Sequence, residues 1–347
     1  MGLVVALQAN YCRVLLDAAP GAPATTLLCT RRSRLAKAGE QVWVGDRVRL
    51  EAIEPGSGRA VIAACEPRSC LLQRPPVANV GRVLVVVALR QPDLDPLQLT
   101  RFLLTAEATG RPVLLVLAKA DLLSAEERQH WRQRLAGWGY PPLLVSSRSG
   151  DGLAELRHAI TGGGIQVLCG PSGVGKTSLL NALEPALALR VGAVSGRLQR
   201  GRHTTRHVEL FPLAEGALLA DSPGFNRPAL PADPAALGEL FPELRAARAA
   251  GGCRFRDCRH RGEPGCRLGA AWDRQALYGR CLEEVEAATA RAPESERARA
   301  GGLRRRGDRL EPRLDPRLRQ GSRRQSRQDL AGGLSPPDPA DSDPAPP

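Results

Sequence analysis

The sequence predicts a parallel α/β domain set between a small β-barrel and a helical, cysteine-bearing segment. Three observations predict it. From Val83 onward, continuous apolar runs alternate with helical stretches, the pattern of strands buried on both faces and joined by crossover helices. Residues 1–66 instead hold short β-branched runs separated by turn residues. Past about residue 230 the strand-like runs stop, and three cysteines and a histidine fall within fourteen residues.

The first part reads as strands at Val4–Leu7, Tyr11–Leu16, Thr26–Cys29, Gln41–Val44, Arg47–Ala52 and Arg59–Ala64. Val44-Gly45-Asp46-Arg47-Val48 reads as a strand–turn–strand joint. Five or six short strands at this spacing suggest an OB-type barrel over 1–68. The α/β part, 69–230, offers strands at 83–89, 112–121, 141–147, 165–170 and 217–220. Helices are expected at Asp95–Thr109, Ala125–Leu135 and Gly152–Ile160. A helical region over 231–290 carries the cysteine cluster. Residues 291–330 hold 13 Arg against six acidic residues, a net of +7. The chain then runs into Pro, Ser and Asp, so 291–347 is expected to be a disordered basic tail.

The 347 residues carry 49 basic and 36 acidic side chains, a formal charge of +13. Such a balance favours a polyanionic partner. No apolar run approaches the ~20 residues that span a bilayer, and the N-terminus lacks the basic region of a signal peptide. The nine cysteines are mostly scattered, which fits reduced thiols and a cytoplasmic home. Only three basic residues are lysines: Lys37, Lys119 and Lys176. Two of these fall inside motifs.

Gly170-Pro171-Ser172-Gly173-Val174-Gly175-Lys176-Thr177 matches G-x-x-x-x-G-K-[ST] without exception. It follows an apolar strand and precedes the helix-like run Ser178–Leu183, the context this phosphate loop requires. Its glycines let backbone N–H groups turn inward around phosphate, and the helix N-terminus adds a favourable dipole. Lys176 would reach the β and γ phosphates, and Thr177 would ligate Mg²⁺.

Asp221-Ser-Pro-Gly224, at the end of the strand ALLAD, fits the D-x-x-G pattern of GTPases. Asp221 would hold Mg²⁺ and the Gly224 N–H would sense the γ-phosphate. Between the two motifs lies Gly201-Arg-His-Thr-Thr-Arg206, where Thr205 is the candidate switch ligand to Mg²⁺. Guanine recognition points to Ala118-Lys119-Ala120-Asp121. Asp121 would accept from the guanine N1–H and amine, Lys119 would pack its stem on the base, and Ser146-Ser147 would back it. An Asn is usual where Ala118 stands. Base motif, phosphate loop, switch and D-x-x-G follow in a circularly permuted order, which a fold with neighbouring termini tolerates.

Cys253, Cys258, His260 and Cys266 supply three soft sulfurs and one imidazole, a donor set for a closed, structural Zn²⁺ site. Arg254, Arg256, Arg259, Arg261 and Arg267 surround it. The other six cysteines read as small core or neutral residues. The predicted fold is therefore an α/β P-loop GTPase domain, circularly permuted, with an N-terminal OB-type β-barrel, a C-terminal helical zinc-binding domain and a disordered basic tail.

Over 1–288, the barrel, the permuted order, GPSGVGKTS, GRHTT, DSPG and the cysteine cluster resemble the ribosome small-subunit-dependent GTPases of the RsgA/YjeQ type. The run DSPGFNRP looks like their cyanobacterial branch. Ala118 and Arg206 depart from the family pattern. The resemblance implies GTP hydrolysis late in maturation of the 30S subunit, binding to 16S rRNA, stimulation by that subunit, one structural zinc, Mg²⁺ with GTP or GDP, and a monomer without a membrane partner. Phe225 follows the D-x-x-G motif where many GTPases place a water-orienting Gln. Either slow intrinsic turnover or a group supplied from elsewhere is expected, with His203, His207 or an RNA or protein partner as candidates to position water. The rival readings are a non-hydrolysing RNA-binding assembly factor with a degraded nucleotide site, and an ATPase or nucleotide kinase.

Overall fold

The computed structural model describes residues 1–8, 10–17, 25–32, 40–54, 56–73, 76–162, 164–189, 208–213, 216–221, 228–255, 258–269 and 272–291, with the backbone of 303–306 and 309–312. Residues 1–289 form one compact unit and 290–347 a second. Thr205, Arg206, His203, His207, Gly224 and Phe225 lie outside the described residues, and Asp221 is described by its backbone.

Five strands make the barrel: β1 (Gly2–Leu7), β2 (Cys12–Leu16), β3 (Thr26–Arg31), β4 (Arg47–Glu54) and β5 (Arg59–Cys65). They pair in the order β1-β2-β3-β5-β4 and close through β1–β4, with β3–β5 the one parallel pair. This is the closed Greek-key connectivity of an OB-type barrel. Alternate residues point inward to a core that includes Val4, Val14, Leu27, Cys29, Val48 and Ile62.

Gln41–Val44, expected as a strand, is not one; Val44 forms only an isolated bridge to Val77. The reason is the turn that follows. Gly45 has φ +90°, and a Cβ there would meet the Ala78 carbonyl oxygen at 2.2 Å. Asp46 is fully buried and accepts from the Trp43 N–H at 2.8 Å and from the Arg68 guanidinium at 2.6 and 2.8 Å. Local polar bonds replace a ladder there.

A hairpin of β6 (Leu71–Gln73) and β7 (Pro76–Ala78) leads into the α/β part. This comprises β8 (Val80–Ala88), α1 (Pro96–Glu107), β9 (Val113–Ala118), α2 (Ala125–Gly137), β10 (Leu143–Leu144), α3 (Leu153–Ile160), β11 (Ile165–Cys169), α4 (Lys176–Leu183), β12 (Glu209–Pro212) and β13 (Leu218–Asp221). Sheet order is β10-β9-β8-β11-β13-β12, parallel except for β12. The helix starts carry the expected signals. Asp95 caps α1, accepting from Leu97 N–H at 2.9 Å ahead of Pro96. Ser124 and Glu127 form a capping box on α2. Thr109 and Gly152 fall outside the helices expected to include them.

The strand expected at 141–147 pairs only over Leu143–Leu144. Ser146 ends it, its Oγ accepting from the N–H groups of Arg148 and Ser149 at 3.2 and 3.1 Å and so favouring a turn. One strand, β12, gave no reading in the sequence. It joins the two domains' sheets, since Ala6 of β1 pairs with Glu209. Arg13 adds an ion pair to Glu209 at 2.6 Å.

Helices α5 (Pro234–Glu239), α6 (Pro242–Ala249) and α7 (Gln275–Arg291) follow. Their core of Leu237, Phe241, Leu244, Tyr278, Cys281, Leu282 and Val285 packs on Leu97 and Leu104 of α1. In the second unit, expected to be disordered throughout, β14 (Leu303–Arg306) and β15 (Arg309–Pro312) pair as an antiparallel ladder.

Candidate nucleotide site and metal knuckle

The carboxyl ends of β8, β9, β11 and β13 lie at the same edge of the sheet, with β8 and β9 running three residues past the end of β11. Cys169 sits beside Val85, Ala118 beside Ala88, and Leu168 beside Asp221. Open parallel sheets bind ligands in the crevice outside such ends. The loop after β11 follows the predicted course. Gly170 has φ +143°, and a Cβ on it would fall 1.9 Å from the Val86 carbonyl oxygen. Gly173 (φ +81°) and Gly175 (φ +98°) are left-handed, and Gly175 caps α4. No side chain other than hydrogen fits this path without strain. Val174 anchors the loop in the core beside Leu179 and Leu180. Pro171 is half-buried, Ser172 exposed and Ser178 half-buried.

Lys176 is buried, and its Nζ donates to the carbonyls of Gly170 at 2.8 Å and Pro171 at 2.7 Å. The ammonium is thereby held inside the loop where phosphate oxygens would compete for it. Thr177, 5% exposed, stands in the first turn of α4. Beneath the loop, burial pushes the Cys169 thiol up to about 12, so it stays a neutral packing group.

The 118–121 segment folds against this loop. Lys119 adopts φ +58° and donates to the Gly173 carbonyl at 2.9 Å and to the Gln91 carbonyl. The Ala120 N–H donates to the Val145 carbonyl at 3.0 Å. Ser146 Oγ, fully buried, donates to Asp121 Oδ1 at 2.6 Å, fixing the carboxylate plane. Ser147 is exposed in the turn beyond. Ala118 is 5% exposed and packs in the apolar layer. The Gln91 contact is not legible from the sequence, because its acceptor is a backbone carbonyl 28 residues away.

Cys253, Cys258, His260 and Cys266 converge, with their ligand atoms all within 4.8 Å of one another. His260 Nδ1 lies 3.5, 3.8 and 3.7 Å from the sulfurs of Cys253, Cys258 and Cys266. Tetrahedral Zn–S and Zn–N bonds of ~2.3 and ~2.0 Å give S···N edges of about 3.5 Å, so the donors fit a metal ion of this kind. Burial, with hydrogen bonds to the Cys253 and Cys266 thiols, pushes the Cys258 thiol up to about 12. The Cys258 thiol therefore calls for a cation before it ionises. Burial and the Arg248 charge lower the His260 pKa, leaving a neutral imidazole able to ligate.

Sequence reading missed the parts that shape this knuckle. The Glu263 carboxylate accepts from the Arg259 and Arg261 N–H groups at 3.0 and 2.8 Å. Gly265 (φ +84°) lies so close to Arg254 that a Cβ would meet the Arg254 Cβ at 2.8 Å.

A phosphate loop on a parallel sheet, a closed five-stranded barrel before it and a Cys₃His knuckle after it define a circularly permuted P-loop GTPase. The RsgA GTPase family model matches residues 65–231. A small ribosomal subunit biogenesis GTPase RsgA from Synechococcus sp. (strain CC9605) is 62% identical over 283 residues, spanning 82% of this chain and 93% of that protein. Its namesake from Parasynechococcus marenigrum (strain WH8102) is 58% identical over 284 residues, spanning 82% and 95%. Among solved structures, YjeQ from Thermotoga maritima superposes with TM-score 0.66 at 28% identity, over 82% of this chain and 98% of that one. YloQ, described as a circularly permuted GTPase, gives 0.65 at 28%, over 84% and 96%. The chain belongs to the RsgA family of small ribosomal subunit biogenesis GTPases.

Proposed function

We propose that the chain hydrolyses GTP in late maturation of the 30S subunit, binds 16S rRNA, and is stimulated by that subunit. The observation that carries this reading is the joining of a phosphate loop with a buried Lys176 to a carboxylate–lysine base segment, Asp121 and Lys119. The names of its relatives supply the small-subunit context.

In this reading Lys176 leaves the Gly170 and Pro171 carbonyls for the β and γ phosphates, and the N–H groups of 173–178 close around them. Thr177, Thr205 and Asp221 hold Mg²⁺, which when bound neutralises charge on the phosphates. The Gly224 N–H senses the γ-phosphate. Asp121, oriented by Ser146, accepts two hydrogen bonds from guanine, and adenine lacks both donors. Ser147 closes the pocket.

Cys253, Cys258, His260 and Cys266 would hold one structural Zn²⁺. The barrel and the knuckle flank the nucleotide site and contact RNA. The chain acts as a cytoplasmic monomer; among the described residues no helix is long and apolar enough to cross a membrane. Competition for labelled GDP tests the base reading. Unlabelled GDP and GTP should displace it while ADP does not, and displacement by ADP would remove the guanine assignment.

A further inference from the structure

Phe255 is 51% exposed, the most exposed of the large hydrophobic side chains among the described residues. It projects from the knuckle, and the Arg254 guanidinium lies over its ring, 5.4 Å from the centroid. The pair is held in place before any partner arrives. The Arg254 N–H donates to the Gly265 carbonyl at 3.0 Å, and the Arg254 stem packs on Gly265 where no Cβ would fit. The Arg267 N–H next to it donates to the Cys253 sulfur at 3.3 Å.

Charge around the pair is one-sided. From Cys253 to Arg267 there are five arginines against Asp257 and Glu263, a net of +3. The Glu263 carboxylate is turned inward by the backbone N–H groups it accepts. Arg259 and Arg261 are drawn toward Glu286 of α7. Among the described residues Arg254 and Arg267 make no salt bridge, and both side chains are exposed.

We infer that Arg254 and Phe255 form a stacking platform on which one unpaired RNA base lies, with Arg267 beside it for the adjoining phosphate. An exposed aromatic face joined to a guanidinium plane, within a positive field, is what an unstacked base and its backbone need. A duplex offers no free base face to such a platform, so the surface selects a loop, bulge or single strand. A basic aromatic patch facing a protein would be met by carboxylates instead. This inference rests on the reading of the chain as an RNA-binding biogenesis factor, and it adds which residues make the contact and which RNA form they take.

The test uses the full chain, loaded with zinc, and a short unstructured RNA carrying 4-thiouridine, beside a duplex of the same length. Cross-linking with peptide mapping should place an adduct within 253–267, competed by single strand and not by duplex. Phe255→Leu should weaken single-strand binding roughly 5- to 100-fold, and Phe255→Trp should restore it. Duplex binding should change less than about twofold, because phosphate contacts remain. Retained zinc in Phe255→Leu separates this loss from a collapsed knuckle. Adducts confined to 1–66, with Phe255→Leu binding like the wild type, overturn the platform and leave RNA binding standing. Equal losses on both RNA forms, or a loss confined to binding of an acidic protein, also overturn it. No binding of either RNA by the wild type removes both readings.

Discussion

The Lys119 ammonium donates to the Gly173 carbonyl at 2.9 Å, tying the 118–121 segment to the phosphate loop across 54 residues of sequence. A second bond, to the Gln91 carbonyl, brings the loop after β8 into the same clamp. Lys119→Met keeps much of the stem and removes both charge-assisted bonds. GDP affinity should fall roughly tenfold or more, measured by equilibrium titration. Unchanged affinity would leave the clamp a packing feature.

Ala118 ends β9 beside Ala88 and is nearly buried. An asparagine there would add an amide next to the base segment. Ala118→Asn should tighten GDP binding by roughly 2- to 10-fold, the value of one added hydrogen bond. Unchanged or weaker binding in the same titration would mean that 118–121 is not the base segment.

Asp273 accepts from Arg134 at 2.8 and 2.9 Å and from the Trp138 indole at 2.6 Å, docking the C-terminal region on α2. The Arg134 hydrogen bond holds its pKa below the usual aspartate value. A depressed folded-state pKa means the stabilisation is complete above the unfolded value of ~3.9 and fades as pH falls through the folded one. Asp273 is 44% exposed, so screening trims its worth. Asp273→Asn should cost about 1 kcal/mol by urea titration at pH 7, a difference that narrows below about pH 4. A pH-independent difference would contradict the ion-pair origin.

Arg274 is fully buried between the rings of Phe241, Trp138 and Tyr140, 4.6, 4.9 and 5.7 Å from their centroids. Glu243 accepts from its Nε at 2.7 Å and from a second guanidinium nitrogen. Removing one partner strands the other, so Arg274→Ala should cost about 3–5 kcal/mol, read by denaturant unfolding. A loss under about 1 kcal/mol would show that the aromatic packing suffices alone.

Chelation of the knuckle metal should release residues 253–266 to proteolysis while GDP affinity stays within about twofold, since the nucleotide site shares none of these ligands. Equal loss of both would mean that the knuckle supports the whole fold.

What the sequence revealed, and what it hid, follows from how far each contact reaches along the chain. The phosphate loop was legible because Gly170, Gly175, Lys176 and Thr177 sit at fixed spacing between a strand and a helix. The Cys₃His cluster was legible for the same local reason. Asp121 and Ser146 stood out as ends of two successive strands, and the structure joins them at 2.6 Å. Strand β12 was not legible. It is four residues long, and what holds it is pairing to β13 and to Ala6 of the barrel. Gln41–Val44 looks like a strand by composition, but the turn after it, with left-handed Gly45 and buried Asp46, leaves it only an isolated bridge to Val77. Arg274 carried no motif at all; its role exists only once four distant residues surround it.

The most direct measurement is phosphate release from GTP by the full chain, with and without purified small ribosomal subunits. Slow release by the protein alone and a large increase with 30S subunits, both lost in Lys176→Ala, is the predicted result. No release under either condition would contradict the assignment of this chain as a small-subunit-stimulated GTPase.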